Sequence, residues 1–144
     1  MIQASLFCLT NGYLQSSGWI SQNSSIPFSR SSFQSLGLIL FLTGFILNTY
    51  SDYYMLNQKK KNKTYVYPNS WPHQFVYSPN YLGEILEWTG YWLVHRNIYS
   101  FAFLVFTIAN LLARAILTKD YYLLNFQSEA NDNPNRKALI PFVW

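Results

Sequence analysis

The stretch "SSFQSLGLILFLTGFILNTYS", residues 31–51, decides the fold class because it holds no charged residue between Arg30 and Asp52. A helix rises about 1.5 Å per residue, so about 20 residues cross the hydrocarbon core of a bilayer, which is roughly 30 Å thick. The middle of the stretch is almost entirely apolar. The stretch therefore predicts a membrane-spanning helix.

A second uncharged run, "NIYSFAFLVFTIANLLA" at residues 97–113, lies between Arg96 and Arg114. It predicts another span if both arginines extend their guanidinium groups to the membrane surface. The N-terminal "MIQASLFCLTNGYLQSSGWI", residues 1–20, is more weakly apolar and lacks the basic start of a signal peptide. We interpret it as the tail of a membrane helix whose beginning is missing.

The composition also indicates a membrane protein. Half of the 144 residues are hydrophobic and only 11% are charged, whereas about a quarter are charged in an average soluble domain. Aromatic residues reach 19%, which suits the bilayer surface. One cysteine and two isolated histidines predict no metal centre, and neither familiar glycine-rich nucleotide motif is present. We predict an all-α fold, a partial multispanning transmembrane helical bundle of about three to four membrane helices.

A third apolar segment, "YLGEILEWTGYWLV" at residues 81–94, carries two glutamates. On a helix, Glu84 and Glu87 share a face with Asn80, and Tyr91 continues the row. Carboxylates facing lipid would cost a few kcal/mol each. We therefore expect a helix from residue 80 to 94 that is packed inside a bundle, with this face either hydrated or liganded.

Polar groups recur at regular spacing near the ends of the other two spans. The sets are Asn48 with Asp52, and Arg114 with Thr118 and Tyr122. One interpretation is structural: interhelical hydrogen bonds and ion pairs, for example between Arg114 and one of the two glutamates. The other is a polar pocket for a phosphorylated, ribose-containing ligand. Spacing alone leaves both open.

The basic run "KKKNK", residues 59–63, follows the first span. The excess of lysine predicts a cytosolic loop, by the rule that positive loops stay inside. A lysine that binds phosphate is compatible with this orientation. Nucleic-acid binding is disfavoured, because no aromatic residue interleaves with the lysines.

Two further segments lie outside the apolar stretches described so far. Residues 64–79 contain three prolines and no periodicity, which predicts an irregular connection. The ending "RKALIPFVW" at residues 136–144 places Arg136 and Lys137 before an apolar tail. We interpret that ending as an interfacial anchor.

Several motifs, in order, resemble the C-terminal half of the steroid 5α-reductase family. They are "NGYLQ" (11–15), "NTYSD" (48–52), "PNYLGEILEWTGYWL" (79–93), "RA" (114–115), "YYLLNF" (121–126) and "RKALIPF" (136–142). The resemblance implies a multispanning enzyme of the endoplasmic reticulum membrane that uses NADPH to reduce an activated C=C bond in a lipid such as a 3-oxo-Δ4 steroid. Related enzymes act on polyprenols or enoyl-CoA.

For the site, the resemblance implies cofactor-binding residues on all three helical segments and no metal. These are Asn48, Asp52, Lys59, Asn80, Glu84, Trp88, Arg114 and Tyr122, with Lys59 where the family usually has arginine. No catalytic residue is implied, since the family's substrate-holding glutamate and tyrosine lie in its N-terminal half.

The chain departs from the family pattern at two places. Ser70 and Trp71 replace the glycines of a Pro-x-Gly-Gly turn, so any positive φ there would be strained. Thr118 stands where a histidine is usual near the cofactor.

The expectation is that residues 1–144 are the C-terminal, NADPH-binding portion of such an enzyme, without the family's N-terminal half. Its expected partners are the membrane, a steroid-like lipid substrate, and the missing half or another membrane protein. A different hypothesis is a truncated, non-catalytic membrane protein that acts by association. An unrelated small membrane anchor is the remaining alternative, which the ordered motifs disfavour.

Overall fold

The computed structural model describes residues 2–23 and 32–141, and this part of the chain is helical apart from connecting segments and one single-residue bridge. The helices are α1 (Ile2–Asn23), α2 (Ser32–Asn62), α3 (Pro79–His95), α4 (Ile98–Asn125) and α5 (Gln127–Asn131). A short 3-10 turn, Pro72–Gln74, interrupts the connection before α3. The prediction of an all-α, partial membrane bundle is confirmed.

The predicted spans exist, but both helices are longer than the apolar runs. Two helical stretches, Phe33–Asn62 and Ile98–Asn125, are long and apolar enough to cross a membrane. The prediction that residues 59–63 form a loop was wrong for its first four residues, because α2 continues through Asn62. Lysine and glutamine are good helix formers, so nothing in this polar extension ends the helix before Lys63, which adopts a left-handed conformation with φ of 57°.

Glycines bring α2 and α3 into close antiparallel contact. The glycine seam consists of two pairs, Gly37 with Gly90 and Gly44 with Gly83. A methyl group on Gly44 would lie 2.5 Å from the carbonyl oxygen of Gly83, and one on Gly83 would lie 2.6 Å from the amide nitrogen of Asn48. Backbone therefore packs directly on backbone, as in other membrane helix pairs with small residues at the interface.

A tight turn joins α3 to α4. Arg96 ends α3 in the left-handed region with φ of 51°, and the Asn97 side chain accepts a hydrogen bond of 2.7 Å from the Ser100 amide. Aromatic rings then pack across the two helices, with Trp88 on Phe103 at 4.4 Å between ring centres. At the start of α4, Gln15 of α1 donates to the carbonyl oxygen of Tyr99.

The C-terminal segment folds back into the molecule. Val76 and Lys137 form a parallel bridge, and Tyr77 donates to the carbonyl oxygen of Lys137 over 2.8 Å. Leu139 is buried with Ala115 of α4. Arg136 is only 4% exposed, so the interpretation of residues 136–144 as an interfacial anchor was wrong for its described part. Residues 142–144 lie outside the described residues.

The expected strain at Ser70 and Trp71 is also absent. Among the non-glycine residues that the structure describes, only Lys63 and Arg96 have positive φ. Trp71 adopts helical angles, φ −45° and ψ −50°, and precedes the turn that Pro72 begins. Because proline is favoured at the first helical position, this sequence builds a 3-10 turn and needs no left-handed residue there.

Candidate functional site

A cavity of about 510 Å³ lies where the helices α2, α3 and α4 meet the connection between α2 and α3. Asp52 of α2, Asn80 of α3 and Tyr122 of α4 line it together, so three separate sequence motifs converge there. The connecting segment adds further polar and aromatic side chains, among them His73 and Tyr77. The volume of the cavity lies in the range of ligand pockets, roughly 300–1,000 Å³.

A direct hydrogen bond links two of the predicted site residues. The Asn80 amide nitrogen donates to a carboxylate oxygen of Asp52 over 3.0 Å, from the start of α3 to α2. The glycine seam explains this proximity, since Gly83 contacts the backbone of Asn48 one turn before Asp52. The seam thus sets the spacing of the polar groups at the cavity.

Behind one wall of the cavity lies an aromatic–arginine stack of Arg136, Tyr67, Tyr77 and Tyr122. The guanidinium carbon of Arg136 is 4.2 Å from the ring centre of Tyr77 and 4.9 Å from that of Tyr67. Tyr77 in turn stacks on Tyr122, with 6.0 Å between ring centres and 17° between planes. One Arg136 nitrogen, Nη1, donates to the carbonyl oxygen of Pro68.

The charge states of this stack follow from burial. Burial lowers the pKa of Arg136 from its ordinary value, and the neighbouring Tyr67 opposes that change. Arginine nonetheless stays protonated in proteins. Burial, with a smaller contribution from Tyr67, raises the pKa of Tyr77 to about 12. The wall therefore presents a protonated phenol with a cation behind it.

His73 is a cavity residue that the sequence interpretation missed, having treated it as an isolated histidine. It is 2% exposed, and its Nδ1 lies 2.7 Å from the hydroxyl oxygen of Ser70. Burial, and then the charge of Arg136, lowers the pKa of His73 from 6.5 to about 4. The available signal was local: a serine three residues before the histidine, with the helix-initiating Pro72 between them.

The other predicted site residues lie outside the lining of this cavity. Lys59 contacts a lining residue: its ammonium lies 3.3 Å from the hydroxyl oxygen of Tyr65, and Tyr65 lines the cavity. Trp88 packs on Phe103. Glu84 is half-buried on α3, and Arg114 is exposed on α4.

Asn48 lies at the glycine seam, and its side chain interacts with Glu87 of α3. The interpretation that joined Arg114 to one of the two glutamates does not hold in residues 32–141, where no such ion pair is present. Thr118 lines the cavity from α4. Within residues 2–23 and 32–141, no group of three side chains could hold a metal ion.

These features define a class: an all-helical membrane protein with a tyrosine-rich cavity, lined in part by polar side chains, at the ends of its long helices. A family model described as 3-oxo-5-alpha-steroid 4-dehydrogenase matches residues 1–144. The chain belongs to this family, as the motifs predicted.

Similar proteins carry steroid reductase names. The chain is 36% identical to steroid 5-alpha-reductase DET2 of Solanum lycopersicum over 152 residues, which cover 99% of the chain and 55% of that protein. It is 35% identical to 3-oxo-5-alpha-steroid 4-dehydrogenase 1 of Mus musculus, over 99% of the chain and 55% of that protein. For the Homo sapiens protein of the same name, identity is 32%, over 98% and 54%. The chain thus spans about half the length of these relatives.

Proposed function

We propose that residues 1–144 form the NADPH-binding portion of a membrane-bound reductase that acts on an activated C=C bond of a steroid-like lipid in the endoplasmic reticulum membrane. Family membership over the whole chain supports this proposal. The observation that carries it is the cavity at which Asp52, Asn80 and Tyr122 meet from three helices.

The residues at the cavity fit a dinucleotide. The carboxylate of Asp52 can accept hydrogen bonds from sugar hydroxyls, and the tyrosine rings offer faces on which flat rings stack. Lys59 beside Tyr65 can meet a phosphate.

The bound cofactor would supply a hydride to one carbon of the lipid's double bond. Asn80 holds the Asp52 carboxylate in place through its amide hydrogen bond. The Tyr77 phenol, with a pKa of about 12, stays protonated near neutral pH. It can therefore donate a hydrogen bond and exclude water, but it cannot act as a base there. No catalytic acid is assigned to this chain.

Ligand-dependent thermal stabilisation tests the proposal. NADPH added to the detergent-solubilised chain should raise the unfolding midpoint further as its concentration increases. Asp52→Asn keeps the shape of the side chain but removes its charge, and it should lose most of that rise. Asp120→Asn, on the exposed surface of α4, is the matched control and should keep it. A parent chain with no rise, or two variants with the same rise, would contradict the proposal.

Turnover separates the reductase from the non-catalytic alternative. If the purified chain reduces a 3-oxo-Δ4 steroid with NADPH, a protein that acts only by association is excluded.

The proposed orientation places the lysine-rich end of α2 in the cytosol. Asn62, Lys63 and Thr64 form a glycosylation sequon next to these lysines. When the chain is expressed in microsomes, Asn62 should remain unmodified. A glycan on Asn62, detected as a mobility shift that a glycosidase removes, would reverse the orientation.

A further inference from the structure

The connection between α2 and α3 contributes a histidine that is held from several sides. Pro72 begins the 3-10 turn, and His73 in this turn lines the cavity, with Ser70 beside it. The Ser70 hydroxyl oxygen and His73 Nδ1 are 2.7 Å apart, and both residues are buried. Ser70 lies just before this turn and three residues before His73, so the pairing is made within one short segment of the chain.

Tyr54 of α2 holds the imidazole from another side. Its ring centre lies 5.5 Å from that of His73, at 38° between the planes. The Tyr54 hydroxyl also accepts a hydrogen bond of 3.3 Å from the backbone amide of Asn69, just before Ser70. The imidazole is therefore fixed in position by one helix and by its own turn.

The second ring nitrogen is the part of this group that remains available. Within residues 32–141, the only hydrogen bond of the imidazole is the one between Nδ1 and Ser70. The residue lines the cavity together with Asp52, Asn80 and Thr118. A hydroxyl that donates to Nδ1 leaves the ring proton on Nε2, since a neutral imidazole carries one proton.

We infer that Ser70 and His73 form an orienting pair in which the Ser70 hydroxyl donates to Nδ1 and His73 Nε2–H donates a hydrogen bond to an oxygen of the bound dinucleotide. The oxygen is a ribose hydroxyl or a phosphate oxygen, both of which accept from a neutral imidazole. This inference rests on the proposed function, because it deepens the description of the same cavity. His73 is thus a binding residue, and Ser70 is a positioning residue that acts through it.

The charge state of the ring is compatible with this role. A histidine that is neutral near pH 7 keeps one donor and one acceptor, whereas the charged form could not accept from Ser70. The guanidinium of Arg136 acts on the ring through its charge, and the carboxylate of Asp52 lines the same cavity. The resemblance to the reductase family places a histidine near the cofactor at the position where this chain has Thr118. His73, from the connecting segment, gives this cavity an imidazole donor.

Titration of four variants with NADPH tests the inference. His73→Phe keeps a ring against Tyr54 but removes both nitrogens, and it should weaken NADPH binding about five- to tenfold, the loss expected for one hydrogen bond. His73→Gln offers an amide donor and should recover part of the affinity. Ser70→Ala should weaken binding less than His73→Phe. His95→Phe is the matched control, since His95 stacks on Tyr91 near the other end of α3 and should bind like the parent.

Nitrogen NMR of the histidine rings provides a readout that a purely structural role would not move. The parent should show His73 with a protonated Nε2 and an unprotonated Nδ1, and the Nε2 resonance should shift when NADPH is added. Ser70→Ala should lose the single tautomer. A parent ring protonated on Nδ1 would overturn the inference even before ligand is added.

The outcomes separate the two proposals. If NADPH binds the parent but binds His73→Phe equally well, only the inference about His73 fails. If NADPH does not bind the parent chain, the proposed function fails and the inference falls with it. Should His73→Phe not fold, the comparison of Ser70→Ala with the parent, in affinity and in ring tautomer, decides the matter.

Discussion

The glycine seam lies next to the cavity wall, which the connecting segment forms together with the stack of Arg136, Tyr67, Tyr77 and Tyr122. The two regions are held together by different kinds of contact. In the seam, backbone packs on backbone between α2 and α3, and the side chains of Leu93 and Val94 also lie close to Gly37. In the wall, the connecting segment and the C-terminal segment meet through aromatic rings and one buried cation beside a short backbone bridge. The difference teaches that the seam sets the distance between α2 and α3, whereas the wall supplies side chains that line the cavity. Substitutions should therefore act through geometry in one region and through individual contacts in the other.

The largest expected effect comes from the seam. Gly44→Ala places a methyl group 2.5 Å from two backbone atoms that have no rotamer with which to move aside. The two helices must separate, and we expect a loss of about 3 kcal/mol in the free energy of unfolding, at the upper end of the usual cost of overpacking. The measurement is detergent-induced unfolding followed by circular dichroism.

Gly12→Ala in α1 is the control for helix propensity, because nothing lies within 4 Å of its added methyl group. Alanine there should raise stability by roughly 0.5–1 kcal/mol. If both alanine variants were equally stable, the seam would not determine the spacing of α2 and α3.

The second largest expected effect is a loss of stability at low pH, which His73 in the cavity wall causes. His73 has a pKa near 6.5 when unfolded and about 4 when folded. Between these values the unfolded chain binds a proton that the folded chain does not, so stability is full above about pH 6.5 and declines as the pH falls toward 4. The decline attributable to His73 should total roughly 3 kcal/mol, from 1.36 kcal/mol per pKa unit.

His73→Phe isolates this contribution, since it removes the titrating group while the carboxylates remain. The difference in unfolding midpoint between parent and variant should change with pH only in the window from about 6.5 to 4. A difference that stays constant through this window would mean that the ring is not kept neutral by burial.

A third, smaller effect distinguishes stacking from charge within the wall. Arg136→Lys keeps the cation but loses the flat guanidinium that lies over Tyr77 and Tyr67, so we expect a loss of about 2 kcal/mol in stability. Lys137→Arg is the control, because that residue meets Val76 through its backbone. Equal stability of Arg136→Lys and the parent would show that the positive charge at this position stabilises the fold without the stacking of a guanidinium.

The sequence predicted the helices better than it predicted which residues meet at the cavity, and the reasons are physical. Uncharged runs identified α2 and α4, and the face of α3 was recognised from the spacing of Asn80 and Glu84, because helical periodicity is a local property. The meeting of Asp52 with Asn80 was implied by the resemblance, but its cause lies in glycine contacts between helices that are distant in sequence. Which predicted residues line the same cavity could not be read from spacing.

The wall was largely missed, because its contacts are long-range. Arg136 looked like a membrane anchor, since its burial depends on Tyr67 and Tyr77, which lie about sixty residues earlier in the chain. His73 looked isolated, because its partner is a serine in a turn that was expected to be irregular. Local patterns carry no information about partners that the tertiary fold brings together.

The smallest expected effect lies at the edge of the wall, where Lys59 meets Tyr65. The ammonium lies 4.5 Å from the ring centre on an exposed surface. Lys59→Gln should therefore cost only about 0.5 kcal/mol of stability, whereas Lys60→Gln, at the next exposed position of α2, should cost less.

Stability alone separates these variants poorly, so the salt dependence of NADPH affinity is the sharper measurement. If Lys59 meets a phosphate of NADPH, the affinity of the parent should fall as salt rises, and that dependence should be weaker in Lys59→Gln than in Lys60→Gln. Equal salt dependence in both variants would leave Lys59 as a packing partner of Tyr65 and would place the phosphate contact elsewhere on the wall.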